Sequence, residues 1–382
     1  MRRDLYEPEH ELFRQTVAGF MGTEVVPHRD RWEGEGKVDK AMFRKAGEQG
    51  LLGMAIPERY GGGGTPDFRF NAVILEEVMR ADVMGAGMCI TLHNDVALPY
   101  FLHLADDGQR ERWFPGLASG DLMSAIAMTE PGAGSDLAGI TTTAIRDGDH
   151  YIVNGSKTFI TNGINSDVVV TAVKTDPTQR HAGMSLVVIE EGMDGFSRGR
   201  NLDKIGLHAQ DTAELFFQDV AVPVANRLGE EGRGFYHLVA NLPQERLSLA
   251  VGSLAHAQQA FAWTLAYIGE RKAFGSTIGS NQAVKHRMAE MRTELDVTQT
   301  YLDRQVLLLN EGDLSAEDAA KAKWWATELE KRVIDSCLQF FGGWGYMEEY
   351  PIARAYRDAR VQTIYGGTTE IMKEIIGKGL GL

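Results

Sequence analysis

Cysteine is nearly absent: Cys89 and Cys337, far apart in sequence, are the two among 382 residues. Two isolated thiols make neither a disulfide framework nor a metal-ligand cluster. No metal site is therefore expected, and a reducing, cytoplasmic setting is, with both thiols buried as small apolar groups. Basic charge is also in deficit. Lys and Arg number 39 against 53 Asp and Glu, a formal net charge of −14, which argues against the basic footprint of general nucleic-acid binding. It leaves room for a polyanionic ligand gripped by a few local cations. No apolar run reaches the roughly 18 residues of a membrane span. The opening Met1-Arg2-Arg3-Asp4-Leu5-Tyr6-Glu7-Pro8 lacks a signal-peptide core, and its acid at position 4 argues against a transit peptide. Internal repeats and low-complexity segments are missing too.

What is present is length, glycine and a change of texture. The chain exceeds the roughly 250–300 residues that one core serves, so two or three domains are expected. Its 43 glycines lie largely in clusters, which suggests backbone packed close to ligands. Residues 1–121 read as helical: Glu11 to Met21 carries Leu12, Val17 and Phe20, and Asn71 to Arg80 carries Val73, Ile74 and Val78 with Asn71 as N-cap. Pro57 to Pro66 is a loop. Residues 122–228 read as mostly antiparallel β, with strands at Val168–Val173, Ser185–Ile189 and Glu214–Phe217. A hairpin is expected at Tyr151–Ile160, turning at Asn154-Gly155 because both residues tolerate positive φ. Residues 229–382 return to long helices, with Leu247, Val251, Leu254, Phe261, Leu265 and Ile268 on one stripe, then Gln282–Leu309 and Asp318–Phe341. The expected fold is α+β, mainly α: an N-terminal helical domain, a middle antiparallel β domain and a C-terminal helix bundle.

One glycine-rich string is Ala127-Met128-Thr129-Glu130-Pro131-Gly132-Ala133-Gly134-Ser135-Asp136-Leu137-Ala138-Gly139. Its glycines would let backbone N–H groups approach a phosphate or a flat ring; a tight loop before a strand is the plain alternative. Further along stand Lys157-Thr158-Phe159-Ile160-Thr161-Asn162-Gly163, Arg271-Lys272-Ala273-Phe274-Gly275 with Gln282, Gln339-Phe340-Phe341-Gly342-Gly343, and Gly342 to Glu370 ending in Tyr365-Gly366-Gly367-Thr368-Thr369-Glu370. Singly, such an Arg or Gln is usually a solvated face.

In combination and order, these strings resemble the acyl-CoA dehydrogenase family over nearly the whole chain, and within it the long-chain members. The resemblance implies FAD as cofactor, contacted by Ile126, Met128, Thr129, Gly134, Ser135, Phe159, Ile160 and Thr161 and by Thr368 and Glu370. Arg271, Gln282, Gln339, Gly342 and Gly343 are implied on the FAD shared with a neighbouring subunit. It implies an acyl-CoA substrate met by Ser135, Tyr236, Arg246, Gly366 and Gly367, an electron-transfer flavoprotein as acceptor, and a homotetramer. The reaction implied is α,β-dehydrogenation to the trans-2-enoyl-CoA.

Many members of this family carry their catalytic glutamate where Gly366 stands. In the long-chain type the base comes from an earlier helix, and Leu242-Pro243-Gln244-Glu245-Arg246-Leu247 matches that helix, with Glu245 at the base position. Local sequence alone also allows Glu245 to be a solvated charge near a helix start, stabilised by the helix dipole. As a base it should be desolvated and so raised in pKa, with the Gly366 N–H stabilising the thioester oxygen. The missing side chain at Gly366 is expected to leave room beside the reacting carbons, and Met88 to Phe101 to line the acyl pocket. The rivals are an acyl-CoA oxidase or flavin monooxygenase on this fold, or a non-catalytic acyl-CoA-binding homologue.

Overall fold

The computed structural model describes residues 3–382. Seven helices come first: α1 (Pro8–Phe20), α2 (Arg29–Glu35), α3 (Lys40–Glu48), α4 (Phe68–Arg80), α5 (Met84–Thr91), α6 (Leu98–Leu104) and α7 (Asp107–Ser119). Asp67, not Asn71, caps α4, accepting from Arg69 N at 2.9 Å. The Asn71 amide instead donates to Asp95 at 2.6 Å. Leu12 on α1 faces out, whereas Val17 and Phe20 are buried. Between α5 and α6 the helix widens into a π turn, Leu92–Ala97. Pro99 follows and has no N–H for the carbonyl four residues earlier. That carbonyl, on Asp95, accepts from Gln244 Nε2 at 3.1 Å.

The middle region holds β1 (Ser124–Ala127), β2 (Thr143–Asp147), β3 (His150–Thr161), β4 (Val168–Lys174), β5 (Met184–Glu190), β6 (Phe196–Asn201), β7 (Thr212–Pro223) and β8 (Arg227–Leu228). They form one sheet in the order β6-β7-β3-β2-β4-β5-β8, with β1 also on β4. Pairing is antiparallel except for β1 and β2 against β4. The expected Asn154-Gly155 turn is not one. β3 runs straight through it, and the register against β7 slips between Val153 and Gly155. Gly155 has φ +146, and a Cβ there would lie 2.5 Å from Thr142 Oγ1, so this glycine serves a bulge and a close approach. The chain turns at Gly148-Asp149, between the paired Asp147 and His150. β4 is buried along its length: Val169 and Val173 face the sheet's own core, Val168 and Val170 the core made with α6 and α7. Burial on both faces explains its unbroken apolar run.

The last region is α8 (Gly234–Glu270), the small hairpin β9 (Lys272–Ala273) and β10 (Ser276–Thr277), α9 (Gln282–Glu311), α10 (Ala316–Phe341), α11 (Pro351–Ala359) and α12 (Thr369–Gly379). α8, α9 and α10 enclose the bundle core, which α4 joins through Phe68, Ala72 and Leu75. Leu265 departs from its stripe and is exposed. α8 reaches all three regions: Leu238 joins the core of β4, β5 and α7, Ala255 the N-terminal core, and Leu247 to Ile268 the bundle. The stretch Asn241–Arg246 therefore lies where the regions meet. No described helix is long and apolar enough to cross a membrane.

Candidate active site

Glu245 lies well inside α8, not at its start, and its side chain is buried, with 5% of the residue exposed. The alternative of a solvated, dipole-stabilised charge is thereby overturned: α8 begins at Gly234, and Pro243 is accommodated within it. Tyr100 on α6 donates its hydroxyl to Glu245 Oε1 at 2.8 Å, and Asn241, one turn earlier on α8, donates at 3.1 Å. Burial pushes the Glu245 carboxyl up to about 7; both donors and the Arg246 charge pull it down without cancelling that rise. A carboxyl raised toward neutrality and poorly solvated is a stronger base than an exposed one, which suits proton abstraction.

The turn Tyr365–Thr368 is tied to the same region through its carbonyls. Arg246 Nε donates to Gly366 O at 3.4 Å, and the buried Lys323 on α10 donates to Gly367 O at 2.7 Å. Gly366 and Gly367 have φ +64 and +101, a conformation open to glycine and strained for most residues. Among the described residues no backbone acceptor takes the Gly366 N–H. Beside Gly366 lies the tip of a movable side chain: a Cβ there would be 2.4 Å from Cδ1 of the half-buried Leu249, one turn beyond Glu245, and that tip would have to swing aside. The segment expected to line an acyl pocket, Met88 to Phe101, is almost wholly buried. It touches α8 through Tyr100 at Glu245 and through Asp95, which accepts from Ser248 at 2.5 Å.

A second group gathers on the sheet. Ile126 and Met128 are half-buried and pack on the core beneath. Thr129 O accepts from Thr158 N at 2.9 Å, joining the loop after β1 to β3. Beneath them Lys157 is fully buried, bonding Glu130 Oε1 at 2.9 Å and Met128 O at 3.0 Å. Burial would raise the Glu130 carboxyl, but the Lys157 ammonium and the Thr141 and Thr142 donors hold it at about 2. This ion pair fixes the loop rigidly to the strand. Phe159 is in the left-handed region at φ +59 and is 68% exposed, at a register break between Lys157 and Ile160. Ile160 is buried, Thr161 half-buried, and Gly134 and Ser135 exposed. A Cβ at Gly132 or Gly134 would meet nothing within 4 Å.

The remaining expected residues lie elsewhere. A cavity of about 530 Å³ is lined by Arg271, Gln339, Gly342 and Gly343 together with Tyr267 and Trp344, and it contains no residue of the 126–161 group. Beside it, the β9–β10 hairpin turns at Phe274-Gly275, both at positive φ, with Phe274 fully exposed. Gln282 opens α9 and is exposed. Thr368 caps α12, accepting from Ile371 N at 3.4 Å, and Glu370 is exposed on its first turn. Tyr236 is on the first turn of α8, nearly half exposed, with the Arg233 guanidinium over its ring. Sequence reasoning missed Tyr100, Asn241, Leu249 and Lys323. The i−4 and i+4 spacing of Asn241 and Leu249 from Glu245 was a usable signal; nothing local pointed to Tyr100 or Lys323.

A buried carboxyl raised toward neutrality thus stands on the helix that also holds the glycine turn, through Arg246. Three family models match the chain: acyl-CoA dehydrogenase N-terminal domain over 7–121, middle domain over 125–220 and C-terminal domain over 232–381. The mitochondrial long-chain specific acyl-CoA dehydrogenase of Sus scrofa is 47% identical over 98% of this chain and 87% of its own. The crystal structure of acyl-CoA dehydrogenase from Geobacillus kaustophilus superposes with TM-score 0.96 at 48% identity, covering 99% of each chain. A glutaryl-CoA dehydrogenase from Mycobacterium smegmatis in complex with FADH2 gives TM-score 0.91 at 25% identity over 98% of this chain and 95% of its own. The chain belongs to the acyl-CoA dehydrogenase family.

Proposed function

We propose that the protein is an FAD-dependent dehydrogenase of fatty acyl-CoA thioesters, forming the trans-2-enoyl-CoA, with Glu245 as the base. The observation that carries this is the pairing of Glu245 with Gly366: where the turn carries no side chain, a buried carboxyl stands on the adjacent helix. The residues present fit FAD. Open space beside Gly132, Gly134, Gly342 and Gly343 suits close backbone approach to a ligand, and two exposed phenylalanines in strained backbone, Phe159 and Phe274, are costly features that accompany binding surfaces. Met128, Thr129 and Phe159 to Thr161 would hold one end, and Arg271, Gln339, Gly342 and Gly343 the other. Their separation supports a cofactor spanning two copies of the chain, in keeping with a homotetramer. When bound, FAD supplies the acceptor for a hydride from Cβ, at flavin N5.

The chain's own residues supply the rest. Glu245 takes the Cα proton. The Gly366 N–H, left free while Arg246 and Lys323 hold the neighbouring carbonyls, donates to the thioester oxygen as enolate-like charge builds there. Leu249 and the α5–α6 segment exclude water. A cytoplasmic setting, an electron-transfer flavoprotein as oxidant, and boundaries near 121/122 and 228/229 complete the reading. Anaerobic titration of the yellow protein with acyl-CoAs of varied length and branching tests it. Flavin absorbance should bleach, and Glu245→Gln should stay yellow without bleaching. A wild type that does not bleach with any saturated acyl-CoA, or a mutant that bleaches as fast as wild type, overturns it.

A further inference from the structure

The Glu245 carboxylate is bonded on one side only. Tyr100 Oη and Asn241 Nδ2 both donate to Oε1, at 2.8 and 3.1 Å. Oε2 receives no donor from the described residues, yet it is not among the buried polar atoms cut off from both solvent and partners. One oxygen is thus anchored from two elements, and the other is open. We propose that Tyr100 and Asn241 are positioning residues for the base: they claim Oε1 and present Oε2 alone to the Cα proton. This rests on Glu245 being the base.

The geometry suits the full reaction. A carboxylate has two equivalent oxygens and can rotate, but donors on separate helices, both buried, fix its plane. When the proton arrives at Oε2, Oε1 becomes a carbonyl oxygen and still accepts both bonds, so nothing around the base has to reorganise. Burial and the neighbouring Glu245 charge push the Tyr100 hydroxyl well above its ordinary value, so it stays a donor and does not surrender its proton.

The charged and titratable groups around Glu245 are few. Arg246 follows it on α8, Tyr100 faces it from α6, and Asp95 lies on the π turn. Tyr365 is on the glycine turn, and Lys323 on α10 stands beyond Arg246. Burial also lifts Asp95, to about 6. Its carboxylate is taken by Asn71 and Ser248 and receives nothing from Tyr100 or Asn241. Changes at those two residues therefore move the Glu245 titration and leave that of Asp95 in place.

The test is the pH profile of kcat/KM on flavin-loaded enzyme, with palmitoyl-CoA and an artificial one-electron dye, for wild type, Tyr100→Phe, Asn241→Leu and Glu245→Gln. A hydrogen bond to a charged acceptor is strong enough that its loss should move the acid limb of Tyr100→Phe up by about one to two pH units. Asn241→Leu should move it the same way by less, and kcat on the alkaline plateau should fall in both while KM changes little. A limb that stays put in both variants overturns the proposal and identifies Tyr100 as core packing. If Tyr100→Phe loses flavin or melts early, Asn241→Leu decides by the same criterion. The two failures are distinguishable. An active Glu245→Gln removes the base and this proposal together, whereas a dead but yellow Glu245→Gln with unmoved limbs removes this proposal alone.

Discussion

At the scale of the residue, Glu245, as the proposed base, sets catalysis against stability. Its ordinary carboxyl value is 4.5 and its folded value about 7. Between those values the native state holds a proton that the unfolded chain has released, so stability declines as pH rises through that window and stays lower above it. The difference corresponds to on the order of 3 kcal/mol. Glu245→Gln keeps an oxygen for Tyr100 and Asn241 and carries no charge. It should therefore melt higher than wild type at pH 8, by several degrees, and match it near pH 4, as measured by scanning calorimetry of both proteins across pH. Equal melting temperatures at pH 8 would contradict the buried ionisation. Gly366 is the complementary case. Its φ of +64 strains any side chain there, and Leu249 Cδ1 would have to swing aside from a Cβ, so Gly366→Glu should rescue Glu245→Gln only weakly. Adding Leu249→Ala, which opens the space, should raise that turnover. Equal turnover with and without Leu249→Ala would show that Leu249 is not an obstacle.

At the scale of the element, the glycine turn depends on helices remote in sequence. Lys323 on α10 is buried and holds Gly367 O. Lys323→Met leaves that carbonyl unpaired, a loss of about 1–3 kcal/mol. If the turn positions the thioester donor, kcat should fall roughly five- to a hundredfold with KM for acyl-CoA little changed; an unaltered kcat would separate the turn from the chemistry. Elements of this kind show where sequence is informative. The long periodic helices α9 and α10 and the valine run of β4 were legible, because a sustained apolar pattern has few solutions. Asn154-Gly155 misled because the dipeptide marks any place that needs a permissive backbone, a bulge as readily as a turn. The true turn, Gly148-Asp149, follows Asp147 and so carries an equally ordinary Asp-Gly signal. Asn71 lost its capping role to Asp67 for a similar reason, since the side chain was needed by Asp95 across the helix interface. Tyr100 could not be read at all: its bond to Glu245 crosses 145 residues and exists only through tertiary packing.

At the scale of the whole molecule, residues expected on one cofactor divide into two surfaces, one on the sheet and one at the Arg271–Gly343 cavity. If two copies of the chain complete each FAD site, Arg271→Ala or Phe274→Ala should release flavin on dilution, seen as rising free-flavin fluorescence, while far-UV circular dichroism stays that of the wild type. Retention of flavin equal to wild type in both variants would place the cofactor elsewhere. The three-region order of the chain was legible from the change in texture near residues 122 and 229. How the regions dock was not, because α8, whose Leu247 to Ile268 stripe packs the bundle, enters two further cores through single buried residues, Leu238 and Ala255, that no local pattern distinguishes.

In the proposed reaction the proton acceptor and the thioester donor would belong to separate segments, α8 and the 365–368 turn, joined directly by the Arg246 contact at 3.4 Å. Where one residue provides both a carboxylate and a backbone N–H, any change of its position alters two functions at once. On that reading the two functions sit on separate segments coupled through Arg246. Substitutions along α8 away from Arg246 and Leu249 would tune proton affinity, and substitutions beneath the turn would tune the grip on the oxygen.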